Sequence, residues 1–161
     1  MSADGCCPAA SRSRWSAYGA GLLAAVGAGW LRADVRDRAA IRAAAGGCDA
    51  VVHTAYVQGE GAWEVNADGS AAVAEAARAA RLVHLSTDLV FDGRRGDDRE
   101  DDAPAPVNDY GRSKAEAERR VAALHPEAAI VRTSLVYGGS EPGPQERLAR
   151  EHTRFFVDEL R

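Results

Sequence analysis

The chain has 161 residues, enough for one domain with one core, and 46% of them are hydrophobic but only 6% aromatic. Its formal net charge is −4 with acids and bases interspersed, so it lacks the basic stripe that a phosphate backbone attracts, and no nucleic-acid role is expected. The cysteines, Cys6, Cys7 and Cys48, follow neither a disulfide framework nor a zinc spacing, which points to a reducing, cytoplasmic compartment.

Residues 1–14 carry Ser, Arg, Pro and two Cys without periodicity and read as disordered. The apolar run that starts at Trp15 is short for a membrane span of about 20 residues and is diluted by Gly19, Gly21, Gly27 and Gly29. No membrane role is expected; residues 17–28 read as a short Ala/Gly helix, and 1–30 as a disordered or degenerate lead-in. Regular patterning starts at residue 31. Residues 31–35 read as a short strand, and Asp37 is placed to cap a helix that Gly46 stops. A strand over 49–54 contains Ala-Val-Val-His, and a helix over 62–80 puts Val65, Val73 and Ala77 on one face. Residues 81–86 form the next strand, followed by a polar loop over 88–106 whose acidic run, 97–102, reads as a solvated face. A helix over 107–124, a strand over 128–133 and a further helix near 145–151 complete the chain. Strands alternating with helices, and buried on both faces, predict a parallel α/β sheet within a domain over 31–161.

Two groups of residues carry chemistry. In Tyr110-Gly111-Arg112-Ser113-Lys114 the phenol and the ammonium stand four residues apart, on one face of the predicted helix. A nearby ammonium lowers a phenol's pKa from about 10, and such a pair can move a proton to or from a carbonyl oxygen. By itself the spacing is common on exposed helices. Ser86-Thr87-Asp88 ends a predicted strand, and open parallel sheets bind ligands beyond that end. A hydroxyl there is placed to hydrogen-bond the oxygen that Tyr110 protonates.

Five segments stand in a recognisable order: Cys-Asp-Ala-Val-Val-His-Thr-Ala (48–55), Val-Asn-Ala-Asp-Gly (65–69), Leu-Val-His-Leu-Ser-Thr-Asp-Leu-Val-Phe-Asp-Gly (82–93), Pro-Val-Asn-Asp-Tyr-Gly-Arg-Ser-Lys (106–114) and Val-Arg-Thr-Ser-Leu-Val-Tyr-Gly (131–138). The series resembles the extended short-chain dehydrogenase/reductase family over about residues 31–161, closest to its dTDP-4-dehydrorhamnose reductase branch. The resemblance implies a Rossmann-like fold and NADP- or NAD-dependent reduction of a 4-keto nucleotide sugar. It further implies that Tyr110 is the general acid, that Lys114 lowers the Tyr110 pKa and holds the nicotinamide ribose, and that Thr87 is the hydroxyl of the catalytic triad. Asp34 would meet the adenine, His53, Thr54 and Ala55 would lie along the cofactor, and Arg132 and Thr133 would sit beside the nicotinamide. Asn66 would be a structural tie rather than a catalyst.

The sequence departs from the family in three ways. No Gly-x-x-Gly-x-x-Gly turn precedes Asp34, so an incomplete sheet is expected, its first βαβ unit missing or degenerate, with weakened cofactor binding. The strand over 49–54 is then left with an open edge, which invites a second copy or a partner chain. The chain stops at Arg161, before most of the family's sugar-binding part, and Leu135 stands where the branch shows Trp. Truncation at both ends is therefore expected, and whether the chain is an active enzyme, a fragment or a frameshifted product stays open. So do two alternatives: a non-catalytic binding or regulatory relative on the same scaffold, and an epimerase or dehydratase using the same triad.

Overall fold

A computed structural model of the chain describes residues 22–23, 31–94 and 96–134. The disordered reading of residues 1–14, most of the helix expected over 17–28, the helix near 145–151 and Leu135 lie outside them. The first described pairing corrects the reading of the lead-in: β1, Leu22–Leu23, falls inside the stretch read as a helix and pairs antiparallel with β2, Leu31–Arg32. The strand expected over 31–35 therefore keeps only its first two residues, because a backbone bond from Asp37 N–H to the Asp34 carbonyl already turns the chain.

Helix α1, Arg38–Ala45, starts where Asp37 accepts hydrogen bonds from the N–H groups of Ala39 and Ala40, and its cap at Gly46 returns to extended backbone. Strand β3, Ala50–His53, leads through a loop to a π-helical stretch, Trp63–Gly69, which continues as α2, Ser70–Ala76. Strand β4, Arg81–Thr87, runs into a single 3-10 turn, Asp88–Val90. Helix α3, Asp109–Leu124, and strand β5, Ala129–Thr133, come next. The sheet is parallel, in the order β3-β4-β5, with His53 opposite His84 and Thr87 opposite Thr133. Short apolar strands joined by helical crossovers give this arrangement, and it brings His53, Thr87 and Thr133 to one carboxyl edge.

The core lies between the sheet and the helices, built on Val51, Leu82, Ile41, Val65, Val73 and Val121. Gly69 lets the 33–35 segment lie against the helical layer, since a Cβ there would stand 2.7 Å from a Val35 methyl. The expectation of strands buried on both faces fails. Among the described residues Val51 and His53 are buried while Val52 is 53% exposed, and Val131 of β5 is 43% exposed. The helical crossovers cover one face, and the valines of the other look the same in sequence as buried ones.

Helix α3 carries Tyr110, Ser113 and Lys114, and its start is fixed by Asn108, whose side chain accepts a 2.7 Å hydrogen bond from the Gly111 N–H. Asn108→Ala is expected to cost about 1 kcal/mol, measured as a lower urea midpoint at unchanged slope.

Candidate active site

Three segments meet at the carboxyl edge: the end of β4, the first turns of α3 and the loop after β3. Lys114 reaches inward from α3. It is 2% exposed, and its ammonium donates a 2.7 Å hydrogen bond to the Leu85 carbonyl of β4. Burial pushes its pKa down to about 8, against a smaller opposing effect of Glu118. Thr87, 7% exposed, donates its hydroxyl proton to Asp88 at 3.1 Å and accepts the Leu89 N–H at 3.2 Å. Tyr110 is half-buried beside Tyr56, with ring centroids 6.0 Å apart and planes tilted by 59°.

The tyrosine does not show the shift expected of it. Burial first, then Tyr56 and Asp88, push Tyr110 up to about 12. The ammonium that was to lower it is turned onto a strand carbonyl, which gives a partner to a charge held out of water. Two acidic neighbours are left to act on the phenol, and both favour its protonated form.

A buried polar layer supports this edge. Asn66 lies in the π-helical stretch, accepts the Val57 N–H and donates to the Val57 carbonyl, each at 2.9 Å, and donates to Ser113 Oγ at 2.9 Å. Ser113 in turn donates to the Tyr110 carbonyl at 2.7 Å. One side chain thus ties the loop after β3 to the turn of α3 that carries Tyr110. Below it, His53 meets Ser70 Oγ at 2.9 Å and its ring lies 5.2 Å from that of His84. Burial, then Lys114, pushes His53 down to about 4, and burial, Lys114 and His53 push His84 down to about 2, so both are neutral at physiological pH.

The other candidates occupy scattered places. Thr54 is exposed and Ala55 half-buried just past β3. Thr133 is half-buried at the end of β5, its hydroxyl donating to the Ser134 carbonyl at 3.2 Å. Asp34 comes after β2 and its carboxylate is held by the backbone N–H and guanidinium of Arg36, which keep its pKa below the usual carboxylate range. Arg132 is turned to α3 and the acidic loop: it pairs with Glu118 at 2.8 Å, donates to the Glu100 carbonyl and stacks over the Phe91 ring at 4.8 Å. Asp34 and Arg132 are thus engaged by Arg36 and by Glu118 and Glu100, not by Thr87, Tyr110 or Lys114. Sequence reasoning missed Tyr56 and the link from Asn66 to Ser113; an aromatic directly after a predicted strand end was the signal available for Tyr56.

The fold defines the class of protein: a Rossmann-like α/β domain, with a phenol, an ammonium and a hydroxyl on the carboxyl side of its parallel sheet. The sequence profile of the RmlD substrate binding domain matches residues 15–155, and the chain belongs to that family. The match starts well ahead of residue 31, where the resemblance was first legible. The dTDP-4-dehydrorhamnose reductase of Mycobacterium tuberculosis is 37% identical over 158 residues, covering 86% of this chain and 51% of that protein. The methionine adenosyltransferase 2 subunit beta of Danio rerio is 42% identical over 82 residues, covering 51% of this chain and 25% of that protein. A crystal structure of dTDP-4-dehydrorhamnose reductase from Bacillus anthracis in complex with NADP superposes with a TM-score of 0.64 at 30% identity, covering 75% of this chain and 48% of that one. The chain spans about half the length, or less, of these relatives.

Proposed function

We propose that the chain acts as the proton-donating part of an NAD(P)H-dependent reductase for a 4-keto nucleotide sugar, as in the dTDP-4-dehydrorhamnose reductases it is similar to. The observation that carries this reading is geometric: at the sheet's carboxyl edge the half-buried Tyr110 phenol stands one helical turn from the buried Lys114 and beside the Thr87–Asp88 turn. A phenol carries its proton at neutral pH and can pass it to a carbonyl oxygen as hydride arrives, as ketone reduction requires.

The residues present fit the nicotinamide-ribose half of the cofactor. The Lys114 ammonium has three N–H donors, and one of them is given to the Leu85 carbonyl. The other donors suit ribose hydroxyls. Thr54, Ala55 and Thr133 stand at strand ends along the same edge, and Asp34 would meet the adenine. When bound, the reduced nicotinamide supplies the hydride. Tyr110 then gives its hydroxyl proton to the carbonyl oxygen. Thr87 orients that oxygen, which competes with Asp88 for the single hydroxyl proton. Lys114 serves to hold the ribose, its ammonium being fixed on the Leu85 carbonyl rather than on the phenol. With Lys114 at about 8, the rate is expected to fall as pH rises through that value and the ammonium is lost.

Oxidation of NADPH and NADH with dTDP-4-keto-6-deoxyhexoses tests the proposal. Tyr110→Phe is expected to slow turnover at least about a hundredfold. Equal rates for the variant and the parent chain would remove Tyr110 from the mechanism.

The same reading includes a reducing, cytoplasmic setting, consistent with reduced-nicotinamide chemistry and a free thiol at Cys48. No helix among the described residues is long and apolar enough to cross a membrane. Among the described strands β3 is hydrogen-bonded to β4 alone, with β1 close by, and its remaining edge is the proposed place for pairing with a second copy or a partner chain.

A further inference from the structure

Tyr56 takes no part in the proton transfer proposed above, yet it is held beside the group that makes it. Its ring is 47% exposed, although a residue of that size gains most by burial. It directly follows His53-Thr54-Ala55 at the carboxyl end of β3, the side on which open parallel sheets receive ligands. It is not left to wander: Asn66 takes both backbone groups of Val57, the next residue, and fastens them through Ser113 to the helix turn that bears Tyr110. The Tyr56 ring stands 6.0 Å from the Tyr110 ring at a tilt of 59°, which sets its plane at an angle to the neighbouring phenol.

A part-exposed aromatic side chain, next to a backbone tied down beside a proton donor, is suited to hold the ring of a ligand bound beside that donor. We propose that Tyr56 is the ring-holding wall of this site and packs against the apolar face of a ligand ring bound beside Tyr110. Two ligand rings offer that face, the nicotinamide of the cofactor and the pyranose of the sugar. The contact is made by the aromatic face, so the Tyr56 hydroxyl is dispensable. This inference rests on the reductase reading of the same edge.

Equilibrium binding to the full chain tests it without requiring turnover. NADPH is titrated by its own fluorescence, and dTDP-glucose, which has no keto group to reduce, by calorimetry in the presence of NADP. The parent chain is compared with Tyr56→Phe and Tyr56→Ala. Tyr56→Phe is expected to bind both ligands as the parent does, while Tyr56→Ala weakens one of them about tenfold. Weaker NADPH binding identifies the nicotinamide as the ring held, and weaker dTDP-glucose binding identifies the pyranose. A change for neither ligand, with circular dichroism showing Tyr56→Ala folded, overturns the inference and leaves the reductase reading standing. So does an equal loss in Tyr56→Phe, which would assign the effect to the hydroxyl. If Tyr56→Ala fails to fold, Tyr56→Leu, apolar but without an aromatic face, takes its place under the same criteria. A parent chain that binds neither ligand overturns both the inference and the reductase reading.

Discussion

Gly111→Ala is expected to destabilise the fold by about 3 kcal/mol and to lower the melting temperature by about 10 °C, although alanine is the better helix former. In an ordinary helical position the change would gain up to about 1 kcal/mol. Here the new Cβ would stand 2.2 Å from the Leu89 carbonyl oxygen, 3.0 Å from Pro106 Cβ and 3.2 Å from Asn108 Oδ1. The first of these is backbone in the 3-10 turn, so no side-chain rotation relieves the contact. Either the turn or the start of α3 has to move. Because Leu89 comes two residues after Thr87 and Gly111 directly follows Tyr110, the same displacement separates the proposed hydroxyl and phenol. Circular-dichroism melts of parent and variant measure the first effect. NADPH oxidation by the fraction that remains folded, expected to fall further than the folded fraction itself, measures the second. An unchanged or raised melting temperature would show that the turn yields without cost.

The second large effect is loss of stability in mild acid. His53 and His84 face each other across β3 and β4, buried, at about 4 and about 2, whereas in the unfolded chain each titrates near the ordinary value of 6.5. Between those values the unfolded chain binds more protons than the folded one. Stability is therefore full above about pH 6.5 and falls as pH is lowered, by roughly 1.4 kcal/mol per pH unit for each histidine. For the pair this amounts to about 4 kcal/mol between pH 7 and pH 5, a large share of a typical domain's stability. The depressed carboxylates, Asp34 and Glu116, act at lower pH, below their ordinary values of 3.8 and 4.5, so the interval from pH 7 to pH 5 isolates the histidines. Urea midpoints at pH 7, 6 and 5 give the slope. His84→Gln, neutral throughout, is expected to halve it; an unaltered slope would place the acid sensitivity elsewhere.

Much of this was legible in the sequence. Three of the expected strands were found because short apolar runs such as Ala-Val-Val-His stand between polar turns, and α3 because a charge-bearing patterned stretch marks it. The order of motifs gave the fold and the family. Three features were hidden for physical reasons. An exposed valine at residue 52 and a buried one at residue 51 look alike in a run, so one-sided burial needed the crossovers in place. A π-helical and an α-helical stretch share the same apolar residue types, so Trp63–Gly69 read as ordinary helix. The ammonium of Lys114 had a choice between a phenol one turn away and a strand carbonyl, and only the packing of α3 on β4 decides it. Gly111 is part of a readable motif, but its reason for being glycine is a carbonyl twenty-two residues earlier in the chain.

The widened turns of Trp63–Gly69 carry a further consequence. An α-helix advances by about 100° per residue, whereas a π-helix holds an additional residue in each turn. Removing one residue between Trp63 and Gly69 would let the stretch relax to ordinary winding, and Asn66 would swing out of phase with both Val57 and Ser113. The length of this stretch is therefore fixed by its angular phase, and a one-residue deletion here would sever three hydrogen bonds at once.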